Sequence, residues 1–145
     1  MSDGNVGLGA TIGYGDGGSP ESFTTVAEVK SFSGPGFSRE SVDFTHMESA
    51  NDYMEYKPGM KDGGEVTFEG NYIPDAATHD ATTGLLSIFE AGTVGNWQLT
   101  FPDGSDFTFA GFITALEPSI GGVNDPVSMS VTIKVTGKPT LTEAA

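Results

Sequence analysis

The stretch VSMSVTIKVTG, Val127 to Gly137, sets Val127, Met129, Val131, Ile133 and Val135 against Ser128, Ser130, Thr132, Lys134 and Thr136 at every second position. A period of two predicts a strand with one dry and one wet face. EVTFEGNY, Glu65 to Tyr72, repeats the pattern: Val66, Phe68, Gly70 and Tyr72 share one side, and Glu65, Thr67, Glu69 and Asn71 the other. NWQLTF, Asn96 to Phe101, places Trp97, Leu99 and Phe101 together, and PDGSD then makes a hairpin turn into FTFAGFITALEP. Nearer the N-terminus, FTTVAEVKSF from Phe23 to Phe32 reads as one strand closed by SGPG, and SVDFT from Ser41 to Thr45 as another.

Three segments break the period. THDATTGLLSIFEAG carries Leu85, Ile88 and Phe89 at helical spacing with Gly92 placed as a stop, which predicts a helix over Thr78 to Ala91, weakened by Gly84. HMESANDYMEYKPGMKDGG, His46 to Gly64, holds no sustained period and reads as a long loop or a loosely paired hairpin extension, of a length that serves something outside the domain. Met1 to Pro20 is glycine-rich with only Val6, Leu8, Ile12 and Tyr14 as anchors. It predicts a flexible arm in the isolated chain, or one that orders against a partner. The resulting organisation is an arm over residues 1–20, one body over 21–141 with its loop at 46–64, and a short tail over 142–145. The fold class is mainly β with one flanking α-helix.

With 145 residues, 37% of them hydrophobic and ten phenylalanines, the chain can fill one core. Six basic against twenty acidic residues give a formal charge of −14, whose field repels phosphate backbones and anionic membranes. Tight nucleic-acid binding is thereby disfavoured, although contact without adhesion is not. The absence of cysteine removes disulfides and thiolate chemistry and fits folding in a reducing compartment. The first twenty residues lack a basic start and an apolar run, and no stretch is long and apolar enough to span a bilayer, so the expected place of synthesis is the cytosol.

Candidate chemistry thins out on inspection. In KPGMKDGG the lysine precedes the glycines and a strand follows them, the reverse of a phosphate loop, so Asp62-Gly63-Gly64 reads as a tight corner. GLGATIG is one residue too long for a dinucleotide fingerprint. His46-Met47-Glu48 has the His-x-Glu form of zinc deaminases without their cysteines, and reads as carrying a surface histidine. His79, beside Asp80, would need distant carboxylates to complete a metal site. Asp103-Gly104-Ser105-Asp106 lacks the rest of a calcium loop and reads as a turn. GxSxG is absent. Two other classes stay open on the residues alone: a small β-sandwich binding module for carbohydrate or adhesion, presenting Tyr53 and Tyr56, and a hydrolase using two of the twenty acids.

The succession SGPGFSRESVDFTHMESANDYMEYKPGMKDGGEVTFEGNY, a short helix, LTFPDGSDFTFAGFITALEP and VSMSVTIKVTGKPTL resembles the tail tube proteins of long-tailed bacteriophages with flexible, non-contractile tails. The likeness runs from about Pro20 to Leu141, with KPGMKDGGEVTFEGNY and the strand ending GKPTL its most distinctive parts.

The resemblance implies a mainly β fold, a β-sandwich with one flanking α-helix, and a structural virion protein without catalytic, cofactor or metal residues. Its subunits close into homohexameric rings and stack into a tube that conducts the genome. It also implies tape measure, tail terminator and distal tail proteins as neighbours, no membrane anchoring, synthesis in the host cytoplasm and residence in the virion tail. An alternating strand supplies a channel wall that does not hold DNA, since small hydroxyls and carboxylates offer phosphates no fixed cations. Two rows qualify: Glu65 and Glu69 on one strand, and Ser128, Ser130, Thr132 and Thr136, interrupted by Lys134, on another. By position in the family, the loop contacts neighbouring subunits or rings through Glu48, Asn51, Asp52, Tyr53, Tyr56, Lys57, Lys61 and Asp62.

Overall fold

The computed structural model of the protein describes residues 9–15, 22–80 and 84–143. Along them run β1 (Thr11–Gly15), β2 (Phe23–Thr25), β3 (Val29–Ser33), β4 (Ser38–Asp43), β5 (Tyr56–Asp62), β6 (Glu65–Asn71), α1 (Leu85–Ala91), β7 (Gly95–Thr100), β8 (Asp106–Ile120) and β9 (Val127–Thr142). Seven strands make one antiparallel sheet in the order β2-β1-β7-β8-β9-β6-β3, while β4 and β5 form a hairpin of their own.

The expected sandwich is one sheet bent over on itself. Laid flat, the six strand spacings between β2 and β3 would separate these edges by about 29 Å. The chain passes from Thr25 to Val29 in four peptide steps, a reach of at most about 15 Å. The two edges therefore lie near each other. Side chains agree, since Phe32 on β3 meets Phe101 just beyond β7 at 6.2 Å between ring centres, although three strands lie between β7 and β3 in the sheet.

Inside the bend, alternate residues of the long strands interlock: Val66 and Phe68 from β6, Trp97 and Leu99 from β7, Phe109 and Ile113 from β8, and Met129, Val131, Ile133 and Val135 from β9. α1 packs against β8 and closes the core with Leu85. Gly92 ends the helix in the left-handed region at φ 65° with its N–H on Ile88, as its place in the sequence predicts.

Four expectations change. Phe23 to Phe32 is two strands, because Val26 still bonds Ile12 in β1 while Glu28 at φ 55° turns the chain to the opposite edge. The strand expected at Ser41–Thr45 starts earlier, at Ser38, and ends at Asp43. Among the described residues of the predicted helix, Leu85–Ala91 is helical and Thr78–Asp80 is not. Thr78 instead accepts the Ala27 N–H at 3.1 Å, His79 is drawn into the interior, and Asp80 accepts the Gly84 N–H at 2.9 Å. Within the expected arm, Thr11–Gly15 is an interior strand between β2 and β7 with Ile12 fully buried; residues 1–8 and 16–20 lie outside the described residues.

His79 explains how the bend is held. Its Nδ1 accepts the Ile73 N–H at 3.1 Å and its Nε2 donates to the Ala27 carbonyl at 2.9 Å, tying the crossover between the two edges to the segment after β6. Tyr72 stacks on the ring at 6.0 Å. His79→Leu strips partners from both backbone groups, and urea unfolding is expected to show a loss of about 2–3 kcal/mol.

Candidate functional site: a polar sheet face and an exposed hairpin

The register of the sheet decides which side chains share its outer surface. β6 meets β9 without a slip, so Glu65 lies opposite Lys134, Thr67 opposite Thr132, Glu69 opposite Ser130 and Asn71 opposite Ser128. On the far side of β9, β8 places Ala115 beside Thr132, Glu117 beside Ser130 and Ser119 beside Ser128. On the far side of β6, β3 places Ser31 beside Glu69 and Ser33 beside Thr67. Residues opposite one another point to the same side, and Val66, Phe68, Val131 and Ile133 fill the core side. The outer side is thus a continuous wall of hydroxyls and carboxylates over β3, β6, β9 and β8.

Both rows singled out in the sequence stand on this wall, in adjacent strands. Thr136 continues the β9 row opposite Ala110. Sequence reading missed Ser31, Ser33, Glu117 and Ser119. The two serines sit in a strand that was read as part of a longer one, and in β8 a register shift between Ile113 and Ala115 resets which residues face out. The alternation in LEPSI after that shift was the available signal.

Cations on the wall are few. Lys134 Nζ lies 3.5 Å from Asp62 Oδ2 at the foot of β5. Lys30 borders a shallow groove with Ser31, Glu69, Ser119, Ser128 and Ser130. The Gly64 N–H bonded to its side chain at 2.9 Å, and then the Lys134 charge, hold the Asp62 carboxyl below the usual carboxylate range. Such a carboxyl contributes its stabilisation above its unfolded value of about 3.9 and loses it as pH falls through the lower folded one. The Gly64 amide resonance in an acid titration is expected to move with a midpoint below that value, and to lose the transition in Asp62→Asn.

The second feature is the β4–β5 hairpin. KPGMKDGG belongs to its return strand and root, so of the two readings of His46–Gly64 the paired extension is the one that forms. Its root is a corner: Asp62 caps Gly64, which takes φ 71°, and the connector on the other side, Gly34 to Phe37, runs against it. Every residue of β4 is exposed. At the tip, Glu55 gathers the chain, accepting Ser49 Oγ at 2.6 Å and lying 3.2 Å from His46 Nε2, while Asn51 and Asp52 hold left-handed conformations at φ 58° and 61°. His46 is a surface residue, as read.

The predicted loop residues divide accordingly. Glu48, Asn51, Asp52 and Tyr53 belong to the tip, and Tyr56, Lys57, Lys61 and Asp62 to β5. Lys57 sits 4.7 Å over the Phe44 ring. The sequence reading did not pick out Phe37, Phe44, Met47, Met54 and Met60, which are exposed alongside Tyr53 and Tyr56, Met60 at 83% and Met47 completely. Apolar groups so concentrated on one projection mark a contact surface.

Among the described residues no group of three or more His, Asp or Glu side chains gathers to hold a metal ion, and no helix is long and apolar enough to cross a membrane. The turn at Asp103 is closed by its own carboxylate, which accepts the Ser105 N–H at 2.9 Å.

Comparison with known proteins places this arrangement. A chain of the tail of an empty gene transfer agent particle, solved with C6 symmetry, is 24% identical, has a TM-score of 0.76, and aligns over 97% of this chain and all of its own. A chain from the virion of a native gene transfer agent particle is 23% identical with a TM-score of 0.75 over the same shares. The SPP1 tail tube protein is 12% identical, with a TM-score of 0.68 over 94% of this chain and 77% of that one. No curated protein matches the chain in sequence. The model of the lambda phage tail tube protein family matches residues 8–142, and the chain with its bent sheet, polar wall and projecting hairpin belongs to that family.

Proposed function

We propose that this tail tube protein closes into hexameric rings that stack into a hollow tube, with the wall of β3, β6, β9 and β8 lining the bore and the β4–β5 hairpin reaching a neighbouring subunit or ring. The observation that carries the reading is the pairing of two opposite surfaces on one small molecule. One is a broad sheet face of Ser, Thr and Glu with its central cation beside a carboxylate; the other is a largely exposed hairpin rich in aromatic and methionine side chains. The first suits contact with moving polyanion, because phosphates find mainly hydroxyls and like charge and few cations. The second is too exposed to be stable by itself, since a lone two-stranded hairpin is marginal in water, and is completed by burial against another copy.

The tube so formed sits in a virion tail and conducts DNA from the particle to the host; tape measure, terminator and distal tail proteins are its neighbours, and synthesis takes place in the host cytoplasm. The C6 symmetry of a similarly folded tail supports six copies per ring. Electron microscopy of the purified protein at rising concentration, alone and with tail-tip complex, is expected to show rings and tubes with an open bore. Particles that stay monomeric under all these conditions overturn the reading.

A further inference from the structure

The hairpin contains an arrangement that is unfavourable in the single subunit. Arg39 on β4 is paired directly with Lys61 on β5. Residues so paired project to the same side with Cβ atoms about 5 Å apart, and like charges there repel. The chain has only six basic residues among twenty acidic ones, so opposite-charge partners are plentiful. Neither cation has one: among the described residues the two ion pairs are His46–Glu55 and Lys134–Asp62, and the polar contact of Arg39 is Nη1 to the Gly59 carbonyl at 3.3 Å.

The faces of the hairpin show why its own acids do not help. Along β4, Arg39, Ser41 and Asp43 share one side, opposite Lys61, Pro58 and Tyr56. Glu40 is on the other side with Val42, as the approach of both to Gly59 shows. Asp62, beyond Lys61, also lies on that other side and is held by Gly64 and Lys134. Asp43 is on the cationic side but is engaged at the tip end, where it accepts the Thr45 N–H at 2.8 Å.

We propose that the Arg39–Lys61 pair is a receptor for one or more carboxylates of a second copy of this chain, so that the repulsion within a subunit is relieved only on assembly. This rests on the tube reading and deepens it by assigning the chemistry of the contact. The occupant follows from complementarity. The cations are flanked on the same side by Tyr56 and Pro58, an apolar rim that fits a protein surface, and every other copy presents a strongly acidic one. Duplex DNA would have to approach the same −14 molecule.

The test uses Arg39→Glu with Lys61→Glu in the full chain, with Arg39→Lys and Lys61→Arg as charge-keeping variants. Reversal is expected to raise the concentration needed for rings and tubes about ten-fold or more while the charge-keeping variants stay near wild type. Trp97 fluorescence in urea checks that both fold alike. In assemblies of mixed light and 15N-labelled subunits, zero-length carbodiimide coupling is expected to join Lys61 to carboxylates of the other isotope. Reversal that leaves assembly unchanged, coupling of Lys61 only within its own chain, or Lys61-dependent binding of duplex DNA oligonucleotides overturns the proposal and leaves the tube reading standing. Wild-type protein that never assembles overturns both.

Discussion

Gly64→Val is expected to yield a folded subunit that no longer builds tubes. Gly64 sits at φ 71°, where a Cβ costs about 1–2 kcal/mol and a β-branched one more. A Cβ there would also strike the Gly36 carbonyl, and one at Gly34, itself at φ 104°, would strike the Glu65 carbonyl, all of it backbone that cannot rotate away. The two connectors at the hairpin root are pressed together without room for a side chain, so the substitution swings the hairpin instead of compressing. The core is built beyond this root, from β6 to β9 and α1 together with Ile12 of β1 and Val26. Urea unfolding read by Trp97 is therefore expected to lose only about 1–3 kcal/mol, while electron microscopy shows assembly abolished. Gly92→Val is the control, for it shares the left-handed strain at φ 65° but finds nothing within 4 Å. If both variants assemble alike, the geometry of the hairpin root has no part in the tube.

Phe68→Ala is expected to be the most damaging single change to the fold. The ring is fully buried on β6, opposite Phe32 on β3 and Val131 on β9, where the bent sheet brings its layers together. Removing it leaves a cavity that strands cannot close without breaking their ladder, and such losses run at about 3–5 kcal/mol. Against a total of about 5–15 kcal/mol for a domain this is a large share. The melting temperature is expected to fall by about 10–20 °C. Trp97, the one tryptophan, is buried with its Nε1 donating to the Gly111 carbonyl at 3.2 Å, so its emission reports the loss directly. A fall of only a degree or two would mean that the layers do not meet at Phe68.

These two positions show different degrees of visibility in the sequence. Phe68 was readable because a strand with one buried face writes a period of two into its residues, and the register with β9 then carries Glu65 and Glu69 to the opposite side. Gly64 was readable as a corner, since Asp-Gly-Gly supplies both a cap and a permissive backbone. What it is a corner of was not. The break at Val26–Glu28 left no local mark, because Val, Ala and Glu do not signal a turn; Ile12, Thr78 and His79 hold it, and none of them is near in the chain. Thr78 to Asp80 depart from the predicted helix for the same reason. Thr11–Gly15 looked like arm because its glycines dilute the pattern, yet Ile12 finds a place between two strands.

Alternation, charge and composition alone determined that this is a β-rich molecule with one helix, with Trp97, Phe68, Val131, Ile133 and Val135 inside and a surplus of acid outside. Those are local properties, fixed by which side of a pleat a residue occupies and by the sum of its ionisable groups. Only the tertiary structure decided that the two polar rows are neighbours on one wall, that Asp62 reaches Lys134, and that Arg39 faces Lys61 with no counter-ion among the described residues. Such adjacencies depend on strand order and register, which arise when distant segments compete to bury their apolar faces together, and no short window of sequence contains that competition.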